Sequence, residues 1–195
     1  MKKIWIIIAG LLVLSAAWGI RFYSVNKDVD SPVIQVYEKG EEVPIGEDFF
    51  NYADEGMDGY TITVLDAELL PVGDFLQKYN AEDQAENLGL FTDYIYTVRI
   101  SVANRHNPYT GEKGVALQQY VLHGTNYVLS LEDTCYLIAN PDMPGTSFSL
   151  REGTDMEITL TFDVMSKAIS IQHLMDDCPK LMITQYPHQK MIDIM

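Results

Sequence analysis

Hydrophobic and polar positions along the chain follow two different patterns. Residues 4–20 form an apolar run of 17 that no charge interrupts, opened by Lys2 and Lys3 and closed by Arg21. Beyond residue 32 the apolar positions recur with a period of two. The first pattern predicts a membrane-length helix, and the second predicts strands with one dry face.

As a helix, the run rises about 1.5 Å per residue and is roughly 25 Å long, close to a ~30 Å hydrocarbon core. Ile4 and Trp5 begin the predicted anchor, and Trp18 and Ile20 end it, with Phe22 and Tyr23 just beyond. Aromatic rings at both ends suit the two membrane interfaces, and lysines on the short side favour a cytoplasmic N-terminus. The expected order is a cytoplasmic tip at 1–3, a single span at 4–20, a polar stalk at 21–32 and an extracellular domain at 33–195. A cleaved signal peptide is the alternative, with Ser15-Ala16-Ala17 as the small-residue site. The apolar run continues past Ala17 to Ile20, which favours retention. No cysteine stands at or just after the run, so a lipid-modified N-terminus is not expected.

Strands are predicted at 33–37, from Tyr60, Ile62 and Val64, and from Tyr94, Tyr96, Val98, Ile100 and Val102. Further β-rich runs lie at 115–122, 127–131 and 136–139, and a last pair at 181–186 and 190–194. The clearest alternation is Met156, Ile158, Leu160, Phe162 and Val164 against Glu157, Thr159, Thr161 and Asp163. Turn signals such as Lys39-Gly40, Asn107-Pro108, His123-Gly124 and Asn140-Pro141 separate them. Val72, Phe75, Leu76 and Tyr79 instead follow helical spacing after Pro71, predicting a short helix over 72–80. A second short helix is expected within 166–175. Many strands without strand–helix alternation predict an all-β antiparallel sandwich.

The strings "VYEKGEEVPIG", "DFFNYADEGMDGYTITVLDAELL", "YTVRISVAN", "GTNYVLSLED" and "SLREGTDMEITLTFDV", after an anchor and stalk, carry a family resemblance. The chain resembles exported, immunoglobulin-like β-sandwich proteins from Gram-positive-type bacteria, classed as domains of unknown function 4352 and 5028, the second more closely. That resemblance covers nearly the whole chain. It implies an immunoglobulin-like fold and an exported location, and brings no catalytic residues.

Charge changes the picture further. The sequence holds 13 Lys and Arg against 28 Asp and Glu, for a net charge of −15. Such a chain repels phosphate backbones, so nucleic acid is excluded as a partner. The two cysteines, Cys135 and Cys178, are a candidate disulfide if exported, worth roughly 4 kcal/mol for a loop of this length; two separate thiols are the alternative.

Candidate chemistry is sparse. His123-Gly124-Thr125-Asn126 followed by Cys135 is similar to part of the L,D-transpeptidase pattern. Leu131-Glu132-Asp133-Thr134-Cys135 faintly resembles a sortase nucleophile segment, with His106 and Arg151 as loose partners. A thiolate needs a neighbouring base or positive field, whereas Glu132 and Asp133 are acidic. The alternative is that His123-Gly124 turns a hairpin. Asp48, Asp54, Glu55 and Asp58 cluster, as do Asp28 and Asp30 and Asp176 and Asp177, without a calcium-loop order. His106, His123, His173 and His188 show no metal-ligand spacing, so neither a metal nor a cofactor is expected. Tyr94, Tyr96, Tyr120, Tyr127 and Tyr136 lie at strand positions that suit a core. The expected function is a non-catalytic binding or accessory module of the cell envelope, with a membrane or envelope protein as partner through an open sheet edge. A cysteine transpeptidase using Cys135 and His123 is the competing class.

Overall fold

The computed structural model describes residues 2–27, 31–52, 55–88, 92–109, 114–143 and 145–195. It divides into two compact units, Met1–Ser31 and Pro32–Met195.

The first unit is helix α1, Lys2–Asn26. Its stretch Ile4–Asn26 has a mean hydropathy of 2.0, is nowhere buried, and is long and apolar enough to cross a membrane, as a signal sequence also is. The helix runs six residues beyond the apolar segment, into the expected stalk. Neither Gly nor Pro follows Gly19 before Pro32, so no strong helix breaker stops it at Arg21. Trp18 stacks on Phe22 one turn later, and Asn26 Nδ2 donates to the Phe22 carbonyl at 2.7 Å. Residues 28–30, including Asp28 and Asp30, lie outside the described residues.

The second unit is mostly β, with a few short helices. In chain order it contains β1 (Val33–Tyr37), β2 (Val43–Pro44), β3 (Tyr60–Pro71), α2 (Val72–Lys78), β4 (Tyr94–Asn104), β5 (Val115–Ala116), β6 (Val121–His123) and β7 (Val128–Ser130). There follow α3 (Asp133–Ala139), β8 (Ser147–Phe148), β9 (Thr154–Val164), α4 (Ile171–Asp176), β10 (Lys180–Met182) and β11 (His188–Asp193). One antiparallel sheet has the order β2-β3-β4-β9; a second has the order β1-β11-β10-β6-β7; β5 and β8 form a small pair. One buried cluster draws on both larger sheets, with Ile62, Val98 and Leu160 from the first and Leu122, Leu181 and Ile192 from the second.

Two sequence expectations need correction. The run 136–139 is not a strand but most of α3. An apolar run of four fits either state, and the Glu132 side chain decides it by accepting the backbone N–H of Cys135 at the helix N-terminus. The second sheet is also not wholly antiparallel, because β1 runs parallel to β11, with Val33 opposite His188 and Tyr37 opposite Ile192. The two strands come from opposite ends of the unit, so no hairpin constrains their direction.

Strand β3 carries a bulge. Val64 pairs with Ile100 and Asp66 with Arg99, leaving Leu65 as the extra residue. Tyr60, Ile62 and Val64 face the core before it, and Ala67 and Leu69 pack on the core after it. Without that extra residue in the ladder, strict alternation would turn Asp66 and Glu68 inward. The bulge instead places them on the outer face, opposite Arg99 and Thr97. Leu70 and Ile95 share that face, where α2 and α3 cover them with Phe75, Leu76 and Cys135 in a second small cluster.

Candidate functional site

The residues of the transpeptidase expectation are separated. Cys135 is buried on α3 among Phe75, Leu76, Ala81 and Ile95, on the outer side of the first sheet. Burial, and next the Glu132 carboxylate, push its thiol well above the usual range, away from the thiolate a nucleophile needs. His123 ends β6 in the other sheet, opposite Lys180 and Val128. The segment His123-Gly124-Thr125-Asn126 turns the β6–β7 hairpin, closed by the Gly124 N–H on the Tyr127 carbonyl at 3.0 Å. Asp177 holds that turn by accepting from the Thr125 N–H at 2.9 Å and from its hydroxyl at 2.8 Å. Asn126 Oδ1 lies 2.8 Å from His173 Nε2. Gly124 lets the Tyr127 ring approach closely, since a Cβ would fall 2.2 Å from it and would have to displace the ring.

The candidate disulfide is not formed. Both cysteines are free, Cys135 buried and Cys178 exposed. Of the tyrosines expected in strands, Tyr94 and Tyr96 are on β4 and Tyr136 is on α3; Tyr96, Tyr120 and Tyr136 are buried, and Tyr94 and Tyr127 pack against the core from its margin.

The acidic cluster near residue 50 is a set of loop fasteners. Glu55 accepts the backbone N–H groups of Phe50, Asn51 and Tyr52 at 2.9, 2.7 and 3.0 Å. Asp48 is buried and accepts from Lys190 Nζ at 2.6 Å and His188 Nδ1 at 2.9 Å. Lys190 Nζ, equally buried, also donates to the carbonyls of Pro44 and Ile45 at 2.7 and 2.9 Å. Burial alone would raise the Asp48 carboxyl, but the hydrogen bonds from Lys190 and His188 outweigh it and hold the group below its ordinary range. Asp54 lies outside the described residues. Among the described residues no group of three or more His, Cys, Asp and Glu is placed to hold a metal ion.

The sheet edges differ in how they end. On β9, Leu131 bridges to Phe162, the Glu132 N–H donates to the Thr161 carbonyl at 2.8 Å, and the Asn140 side chain occupies the next positions. β2 is two residues long and ends in Pro44, and β7 has three residues. β1 is the other end of the second sheet, and it is five residues long. Its Val33, Ile34 and Val36 are 60%, 62% and 52% exposed. The Val33 N–H points inward to the Pro187 carbonyl at 3.3 Å. Strand alternation therefore directs the backbone groups of Ile34 and Val36 outward. An open edge with apolar side chains can accept an added strand. The sequence marked 33–37 as a strand, but not its edge position, which depends on pairing with the far end of the chain.

Comparison with protein families finds the Domain of unknown function (DUF5028) over residues 34–190. No curated protein and no solved structure matches the chain.

Proposed function

The chain belongs to the DUF5028 family, and from that membership, its apolar helix and its open edge we propose a membrane-anchored, extracellular binding module of the bacterial cell envelope. The β unit is an immunoglobulin-like sandwich of non-catalytic role, tethered by α1 with the N-terminus inside. Lys2 and Lys3 on the short side of α1 support that orientation. Between the end of α1 and β1 lie only residues 27–32, at most about 20 Å of extended chain. The partner is another envelope protein that adds an extended segment to β1.

The exposed apolar edge of β1 is the observation that carries this reading, because natural sheets usually guard such edges. A photo-crosslinker at Ile34 of the full anchored chain in native membranes is expected to capture a protein, and one at exposed Glu152 is not. Equal capture at both positions, or none at Ile34, would reject the edge. Location is read separately with a membrane-impermeant maleimide on intact cells. Cys178 is exposed and is expected to label without lysis. Labelling only after lysis would reject extracellular placement.

A further inference from the structure

On the outer face of the β2-β3-β4-β9 sheet, α2 and α3 cover Leu70 and Ile95. Past the end of α2 that face opens into a groove of about 320 Å³, within the size range of small-molecule clefts. Its lining comes from four elements: Asp66 and Glu68 of β3, Thr97 and Arg99 of β4, Thr159 of β9, and Lys78-Tyr79 at the end of α2. The bulge at Leu65 is what turns the two β3 carboxylates toward it.

The charges around this groove are already paired. Lys78 Nζ contacts the Glu68 carboxylate, Arg99 Nη1 lies 2.8 Å from Glu157, and Lys39 Nζ lies 3.6 Å from Asp66. Three cations thus meet three carboxylates. In the chain from Pro32 onward, nine Lys and Arg face 26 Asp and Glu, so the remainder of the unit has six against 23. The groove is a neutral patch on a strongly acidic body. A charged ligand would have to break one of these pairs, and a purely apolar ligand would strand their hydrogen-bonding groups.

A neutral ligand rich in hydroxyls meets neither obstacle. Carboxylates held by cations still have acceptor lone pairs, and a guanidinium held by one carboxylate still has free N–H donors. The Thr159 hydroxyl makes no hydrogen bond to another described residue, while its backbone is fixed on both sides by Asn140. Thr97 is buried, with its hydroxyl on the Glu68 carbonyl at 3.3 Å. Tyr79, with Phe75 at 4.9 Å between ring centroids and Lys78 Nζ 5.8 Å from its ring centre, adds aromatic surface to the lining. We propose that this groove binds a neutral saccharide. The assignment rests on the reading of the chain as a binding module, but not on the β1 edge.

The test is NMR titration of the full chain in detergent micelles with three neutral probes: maltotriose, cellotriose and N,N′,N″-triacetylchitotriose. At least one is expected to shift the Thr159 amide and Arg99 Nε–H resonances saturably at millimolar concentration. Thr159→Val and Tyr79→Ala, each with an unchanged backbone spectrum elsewhere, are expected to weaken that probe about tenfold, or ~1.4 kcal/mol. If all three probes leave both resonances in place, if the variants bind as tightly as the parent, or if sulfated maltotriose binds more tightly than the neutral sugar, the proposal is overturned. A saturable sugar response without capture at Ile34 would retain the groove and remove the edge. Capture at Ile34 without a sugar response would do the reverse.

Discussion

Asn140 grips the backbone of Thr159 from both sides. Its Nδ2 donates to the Thr159 carbonyl at 2.8 Å, and its Oδ1 accepts the Thr159 N–H at 2.9 Å. One side-chain amide thus takes the place of a neighbouring strand on the outer edge of β9. The same Nδ2 donates to the Tyr136 carbonyl at 2.8 Å, so the end of α3 is tied to the sheet in one step. Asn140→Ala leaves the Thr159 N–H and carbonyl unpaired in a part-buried setting, while the Tyr136 carbonyl keeps the backbone N–H of residue 140 at 3.0 Å. The expected loss is about 1–3 kcal/mol, visible as a fall of several degrees in Tm. An unchanged Tm would show that the edge is not held this way.

Asp48 and Lys190 join the 44–48 loop to β11 through a buried ion pair. Removing one partner leaves an uncompensated charge, so Asp48→Asn or Lys190→Met is expected to cost about 3–5 kcal/mol. The double variant Asp48→Leu/Lys190→Met is expected to be more stable than either single one. Acid gives an independent check. The Asp48 carboxyl is held below its unfolded value of about 3.9, so its contribution is fully present above that pH. It is lost as pH falls below about 4, toward the folded value. Urea titrations should therefore show a steeper acid loss in the parent than in the double variant; parallel curves would refute the role of this pair.

Much of the second unit was legible in the sequence wherever side-chain alternation ran unbroken. β4 and β9 declare themselves because every second residue meets one core. β3 is legible only to Val64, since Leu65 interrupts the phase and Ala67 and Leu69 resume it one step later. That phase break was the available signal for the bulge, and so for the outward turn of Asp66 and Glu68. α3 is not legible in the sequence because its cap is a single carboxylate, Glu132, three residues before Cys135. The β1–β11 pairing had no local trace, as its residues stand about 155 positions apart: Val33 meets His188. The groove was invisible for the same reason: Glu68, Arg99 and Thr159 become neighbours only through strand register.

The two thiols differ sharply in environment. Cys178 is exposed, whereas Cys135 is buried and its thiol is raised by burial and by the Glu132 carboxylate. Ellman titration of the native full chain is expected to count one rapidly reacting thiol, and two after unfolding in guanidinium. Reductant should leave Tm unchanged, because no disulfide braces the fold. A disulfide closing a loop of this length would be worth roughly 4 kcal/mol, so a large fall in Tm on reduction would contradict the free-thiol assignment.

Gly40 and Gly59 have nearly the same backbone conformation, with φ of 86° and 88°, yet different surroundings. A Cβ on Gly40 would meet nothing within 4 Å, whereas one on Gly59 would fall 2.5 Å from the backbone N of Asn107. Asn107 cannot easily yield. Its N–H donates to Asn104 Oδ1 at 2.7 Å, and its side chain donates to the carbonyls of Gly56 and Asp58 at 2.9 and 2.6 Å. Gly40→Ala is therefore expected to cost only the left-handed backbone penalty, about 1–2 kcal/mol. Gly59→Ala carries that penalty plus overpacking against fixed backbone, a further 1–3 kcal/mol or so. Paired chemical denaturation of the two variants isolates the second component. Equal losses would mean that the approach of Asn107 to Gly59 contributes nothing to stability.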